Sequence, residues 1–94
     1  MSLPVVRKTR RTTSGAVDVD TGRFWGFVVN SHTSGTVTIY DSLAGSGDII
    51  FNTITFPAGS GLVYTLPYGV NYTLGCYATI GGTADITFLW GDIR

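Results

Sequence analysis

Apolar and polar residues alternate along short segments of this chain, and clusters of glycine, serine, proline and asparagine separate the segments. In residues 35–41, Val37 and Ile39 fall on one face of an extended chain, and hydroxyl-bearing side chains fall on the other. Because successive side chains of a strand point to opposite faces, this period of two predicts a β-strand. The same criteria predict strands at residues 24–31, 35–41, 48–56, 61–66, 72–80 and 83–90, and a further short strand at 15–19.

Turn signals and strand spacing together indicate the fold class. Residues 32–35 predict a polar turn, and Gly81-Gly82 predicts a two-residue hairpin between the last two strands. Alternation assigns Leu74, Cys76 and Trp90 to the core faces of those strands. No helix is predicted. We therefore expect an all-β fold, a small antiparallel β-sandwich (jelly-roll-like) of six to seven strands, with a small barrel as the alternative.

The first fourteen residues differ from the rest of the chain. They contain no acidic residue, whereas residues 15–94 contain all six aspartates and only two basic residues. They also lack helical periodicity and contain a proline. We predict that residues 1–14 form an extended, basic N-terminal arm and that residues 15–94 form the β-sandwich domain. Removal of the arm should then leave the fold intact.

Three roles are open for this arm. It is solvated without a specific role, it contacts nucleic-acid phosphates, or it lies along an acidic groove of a partner protein. No aromatic residue is interleaved with the basic ones, which disfavours nucleic acid, and an apolar stretch precedes them, which favours protein. The partner-binding residues predicted in the arm are Leu3, Val5, Val6, Arg7, Lys8, Arg10 and Arg11.

The composition indicates a surface that contacts other protein. Charged residues make up 13% of the chain, against about 25% in a typical soluble domain. There is no glutamate, and Lys8 is the only lysine. Alternation places Tyr40 and Tyr77 on outward faces, where they predict either a subunit interface or a platform for sugars. The low charge favours the interface, and the small core that 94 residues allow favours a homo-oligomer.

The residues offer little for catalysis or metal binding. His32 is the only histidine and falls in the predicted polar turn without an acidic neighbour, so we expect a solvated side chain. Asp18 and Asp20 lack further oxygen ligands at a calcium-site spacing. Cys76 is the only cysteine, so a disulfide within one chain and a Cys/His zinc site are both excluded, and we expect a buried, inert thiol. We predict that the chain is not an enzyme and has no cofactor and no metal.

The N-terminal positive charge is not followed by the apolar run that a secretory signal needs. No segment approaches the length of a spanning helix either. We therefore expect no membrane partner.

Several segments resemble small accessory virion proteins of tailed bacteriophages. The resemblance rests on residues 35–41, 50–56, Leu66-Pro67 and 75–90, and it covers most of residues 24–91. These segments are most similar to the β-sandwich head decoration, or cement, proteins and to small tail proteins. The resemblance implies an oligomer, often a trimer, on the outer capsid surface that bridges major capsid subunits. Residues 1–14 lie outside it.

The sequence thus predicts a non-enzymatic virion structural protein whose partner is the major capsid protein or another virion protein, and whose location is the capsid surface. A small tail or baseplate component is the nearest alternative. A carbohydrate-binding β-sandwich module that uses Tyr40 and Tyr77 is an alternative of a different class.

Overall fold

The computed structural model describes residues 6–91, and they form an all-β, antiparallel fold of six strands, as the sequence predicts. The described residues include no helix long and apolar enough to cross a membrane. The strands are β1 (Val6–Arg11), β2 (Gly15–Asp18), β3 (Gly22–Asp41), β4 (Asp48–Thr55), β5 (Leu62–Tyr72) and β6 (Cys76–Gly91).

Two long strands, β3 and β6, organise the sheet. They pair with each other from Arg23 opposite Gly91 to Tyr40 opposite Tyr77. The N-terminal half of β3 also pairs with β5, and its C-terminal half pairs with β4. The C-terminal half of β6 also pairs with β1, and its N-terminal half pairs with β2. We call the four-stranded portion β1–β6–β3–β5 layer A and the portion β2–β6–β3–β4 layer B.

The two layers face each other because β3 and β6 bend together at their middle. Phe51 of layer B lies with its ring centroid 6.0 Å from Phe24 and 6.3 Å from Phe27, both of layer A. A straight β3 would hold its two halves far apart, at about 3.3 Å per residue. The sheet therefore folds onto itself and forms a small sandwich.

The bend replaces two predicted turns. Residues 32–35 lie inside β3, and Gly81-Gly82 lies inside β6, where the pairing shifts register between Thr33 and Thr36. Ser34 and Gly82 both adopt positive φ, 50° and 67°. A Cβ on Gly82 would lie 2.2 Å from the Ser34 carbonyl oxygen, so only glycine fits. The predicted hairpin is wrong because the same glycine pair also serves a bulge within a continuous strand.

The buried core between the layers consists of apolar side chains from β2, β3, β5 and β6, together with Phe56 just beyond β4, and β4 contributes partly buried side chains. Phe27 lies at its centre, stacked on Tyr64 at 4.9 Å and close to Phe88 at 5.9 Å. The buried hydrophobic residues are Val17, Phe24, Phe27, Val29, Val37, Ile39, Phe56, Tyr72, Cys76, Ala78, Ala84, Ile86 and Phe88.

Two core predictions need correction. Leu74 is exposed, because β5 ends at Tyr72 and β6 begins at Cys76, so Leu74 lies in the intervening turn and the alternation does not extend to it. Trp90 faces the core only at its margin and is partly buried. The remaining alternation in β6 is confirmed.

The basic N-terminal segment is part of the sandwich and not a separate arm. It is extended as predicted, but Val6–Arg11 pairs along its whole length with β6, from Val6 opposite Gly91 to Arg11 opposite Ile86. Its charges conceal the strand pattern in the sequence, yet basic residues are common on edge strands because they block pairing with other chains. Leu3 and Val5 lie outside the described residues.

Candidate functional site

The described residues show no metal-binding cluster. Residues 6–91 contain no group of three or more histidine, cysteine or acidic residues that could hold a metal ion. The backbone N–H of Gly35 donates to Nδ1 of His32 at 3.1 Å, so Nε2 carries the proton and donates to the Pro57 carbonyl oxygen at 2.7 Å. His32 therefore links the bend at Gly35 to Pro57, just beyond β4. The prediction of a turn at His32 is wrong, because residues 32–35 continue the strand, and the side chain is half-buried with a protein partner on each ring nitrogen.

Cys76 is a buried thiol, as predicted. Burial and, to a smaller extent, the nearby carboxylates of Asp18 and Asp41 together raise the pKa of this thiol to about 12. The reactive thiolate is therefore scarce at neutral pH. This cysteine is a core residue.

The sandwich has two open sides, and polar contacts seal one of them. On this side, which we call the β1/β2 side, the Trp90 Nε1–H donates to Thr9 Oγ1 at 2.8 Å, and the Thr9 hydroxyl donates to the Val17 carbonyl oxygen at 3.0 Å. Thr9 thus joins β6, β1 and β2. The Arg11 guanidinium closes the corner between β1 and β2 by donating to the carbonyl oxygens of Thr13 at 3.0 Å and Ala16 at 3.3 Å.

Two other basic residues of β1 also contact the protein itself. Arg10 donates to both carboxylate oxygens of Asp85, at 2.8 Å from its Nε to Oδ1, and forms an ion pair. These hydrogen bonds from Arg10, with one from Asn30, lower the pKa of Asp85 to about 2. The Arg7 guanidinium lies 5.9 Å from the centre of the Trp90 ring, in a cation–π contact.

These contacts show that several of the predicted partner-binding residues also bind within the protein itself. Arg7, Arg10 and Arg11 all have intramolecular partners, whereas Lys8 and Val6 are exposed on the outer face of layer A. A role of this strand in binding a partner stays a prediction. Sequence reasoning missed the contacts because their partners, Trp90, Asp85 and the β2 carbonyl groups, are distant along the chain.

The predicted tyrosines lie on a different surface. Tyr40 and Tyr77 are directly paired on the outer face of layer B, and Ile49 and Ala16 extend the same row on the flanking strands. The basic residues of β1 belong to layer A, so the structure does not bring the two predicted groups together.

Threonines cover most of the remaining outer face of layer B. Thr38 and Thr53 share a hydrogen bond of 2.7 Å between their hydroxyl groups, and Thr36 pairs with Thr55. Gly45, in the loop between β3 and β4, lies close to Tyr77 and Thr79. A Cβ added at Gly45 would lie 3.1 Å from the Thr79 hydroxyl oxygen. Among the described residues, the strand positions of this face carry no charge. They are Ala16, Thr36, Thr38, Tyr40, Ile49, Thr53, Thr55, Tyr77 and Thr79.

The second open side, the β4/β5 side, is apolar. Partly buried hydrophobic side chains fill the gap between the two edge strands and pack against the core. They are Ile50, Phe51, Ile54, Leu62, Tyr64 and Leu66. Val63 and Tyr68 of β5 are 62% and 85% exposed.

In comparisons with known proteins, no family model, no curated protein and no solved structure matches this chain. The chemistry of the described surfaces is therefore the basis for assigning a function.

Proposed function

We propose that this chain is a non-enzymatic structural protein that binds the surface of a larger protein assembly. The observation that supports this proposal is the uncharged outer face of layer B, in a chain that has so few charged residues overall. Its contact surface would be that face, with Tyr40 and Tyr77 near its end.

The physical argument concerns the free energy of removing water. Burying a charged side chain without a partner is costly, whereas hydroxyl groups that already share a hydrogen bond lose less. Thr38 and Thr53 satisfy each other in this way. The outer face of layer A differs, because it displays Lys8, Arg23 and the Arg10–Asp85 pair. Layer B is thus the face better suited to contact with protein, and layer A the face better suited to water.

The assembly that we propose is a phage head, with the chain acting as a decoration protein bound to the major capsid protein. The resemblance of residues 24–91 supports this choice of assembly. Binding would stabilise the shell by mass action, because the protein would bind assembled subunits better than free ones. The proposal includes location on the capsid surface and a trimeric arrangement, both of which rest on the resemblance. A position in the tail is the alternative within this class.

Sedimentation of intact particles tests the proposal. We expect the protein to sediment with particles from its source, and Thr36→Lys at the bend end of the layer B face to weaken that binding at least tenfold. Asn30→Lys adds the same charge to the outer face of layer A, at an exposed position, and should leave binding unchanged. Equal loss in both variants, or absence of the protein from all particles, would contradict the proposal.

The paired tyrosines also support a second candidate function, sugar binding. A glycan array of the intact protein would give saturable binding that Tyr40→Ala abolishes. In that case, Thr36→Lys would not affect sedimentation with particles, and the carbohydrate-binding alternative would replace the structural one.

A further inference from the structure

Among the described residues, the β4/β5 side leaves several apolar side chains of the interior partly exposed. The half-buried side chains there include Phe51, Tyr64 and Leu66, which pack against the core and still contact solvent. The edge strand β5 also carries more exposed apolar residues. They are Val63 at 62%, Tyr68 at 85% and Val70 at 38% exposure.

The backbone on this side is also unpartnered. Within the described sheet, β5 pairs only with β3, and β4 pairs only with β3. Each strand therefore has one edge whose backbone groups are open to another strand. Native edge strands are usually protected from such pairing by charges, prolines or bulges. β5 has no charged residue over Leu62–Tyr72, and β4 has only Asp48 at its first position. Pro67 lies in the irregular stretch of β5 between Thr65 and Val70, so the part of the β5 edge that is open to pairing is Leu62–Thr65.

We infer that the β4/β5 side binds a second copy of this chain, through antiparallel pairing of β5 with the β5 of the copy. Two β5 edges can approach each other without like-charge repulsion, whereas two β1 edges cannot, because each carries four positive charges. The contact is isologous, so it closes as a two-fold dimer.

The shape of the surface identifies the occupant as a second copy. Both layers end on this side, β5 in layer A and β4 in layer B. A second copy presents two edges at the same spacing, together with the same half-buried apolar seam. Pairing of β5 strands extends layer A across the dimer, and the two seams then cover each other. A lone peptide could pair with only one of the two edges.

This dimer is separate from the proposed contact with a larger assembly, because it uses neither Tyr40 nor Tyr77 of the layer B face. It also differs from the trimer that the phage resemblance implies. The mass of the associated protein in solution, measured without any particle, therefore tests the dimer independently of the proposed function.

Sedimentation velocity of the full chain over a range of concentrations gives the first measurement. We expect a monomer–dimer equilibrium that Val63→Lys weakens at least tenfold, because antiparallel pairing of Leu62–Thr65 with the same segment of the copy brings the two new charges onto adjacent strands. The matched control is Val6→Lys, which places the same charge on the other edge strand of layer A at a comparable exposure of 52%. Circular dichroism confirms that both variants retain the β-fold.

Amide hydrogen exchange gives a second measurement that needs no variant. Raising the concentration should slow exchange in β5 and leave β1 unchanged. A monomer at every concentration, a dimer that Val63→Lys leaves intact, or protection that appears in β1 in place of β5 would overturn the inference.

Discussion

The two open sides of the sandwich close in opposite ways. On the β1/β2 side, Thr9, Arg11 and Trp90 form a polar network, and positive charges line the edge strand. On the β4/β5 side, apolar side chains lie half-buried, and the edge strand β5 is uncharged. A sandwich of this size has two such sides to protect. This molecule uses most of its positive charge on one of them.

The difference shows how the basic residues of the sequence are used. A cluster of four positive charges in a weakly charged chain predicts an interaction with a partner. In the fold, Arg10 and Arg11 hold β1 to β6 and to the corner that leads into β2. The charges therefore stabilise the molecule itself. The β4/β5 side, whose two strands carry only the charge of Asp48, combines unpaired strand edges with partly exposed apolar side chains.

Among the changes that test the difference between the two sides, removal of residues 1–11 should have the largest effect on stability. We expect loss of the cooperative fold, because β1 supplies the ladder along β6 and both hydrogen bonds of Thr9. Each net hydrogen bond contributes about 0.5–1.5 kcal/mol, and several are lost from a domain whose total stability is on the order of 5–15 kcal/mol. Thermal unfolding followed by circular dichroism measures this. Removal of residues 1–5 alone, which leaves β1, should preserve the transition. A folded 12–94 chain would show that the sandwich does not need its sealed side.

A smaller effect is expected where β5 joins the sheet. Gly26 has a φ of 127°, and a Cβ there would lie 2.1 Å from the Tyr64 carbonyl oxygen. Gly59 has a similar φ of 129° but no atom within 4 Å of its Cβ position. Both alanine variants incur the conformational cost, about 1–3 kcal/mol, and Gly26→Ala adds a backbone clash. We expect Gly26→Ala to lower the free energy of unfolding clearly more than Gly59→Ala. Equal values in urea denaturation would mean that β5 is free to move.

Thr9→Val tests the sealed β1/β2 side by replacing a hydroxyl group with a methyl group. The variant keeps the shape of the side chain but leaves the Trp90 indole N–H and the Val17 carbonyl without their partner. We expect a loss of about 1–3 kcal/mol, the cost of unsatisfied polar groups. The free energy of unfolding in urea, compared with that of the exposed Thr12→Val control, measures it. A loss no larger than that of the control would show that water replaces the hydroxyl group.

The smallest expected effect is on the stability of the fold at low pH. Hydrogen bonds from Arg10 and, to a smaller extent, Asn30 lower the pKa of Asp85 from its ordinary 3.8 to about 2, so the folded protein favours the ionised carboxyl. The stability from this pair is fully present above pH 3.8 and is lost as pH falls towards 2. Because the Arg10 side chain is largely exposed, we expect a small change that added salt reduces. Asp85→Asn should flatten the pH dependence of the melting temperature in this range. An unchanged slope would assign the acid sensitivity to other carboxylates.

Sequence patterns predicted part of this structure correctly. The all-β class and the core residues Val37, Ile39 and Cys76 follow from local alternation, which depends only on neighbouring residues. The strand in Val6–Arg11 was missed because its neighbours, β6 residues, are about 80 positions away. The bend was missed for a related reason. Gly81-Gly82 suits a hairpin and a bulge equally well, and only pairing with the equally long β3 decides between them.

The surfaces were predictable to a lesser extent. Alternation correctly placed Tyr40 and Tyr77 on an outward face. It could not show that they are paired with each other, because that depends on the register of β3 against β6. The unsealed β4/β5 side was not predictable at all. Its apolar residues have ordinary core patterns, and their partial exposure arises only because no further strand covers them.

The order of the strands along the chain has a consequence for biosynthesis. Among the described residues, β1 and β2 pair only with β6, which is the last strand to leave the ribosome. By contrast, β3 can form a hairpin with β4 and then accept β5 before β6 is made. Pairing between distant segments is slow. We therefore expect the nascent chain to persist as a β3–β4–β5 sheet with an unpaired edge, while the basic strand β1 still lacks its partner β6. Chaperones or slow translation would then increase the yield of folded protein.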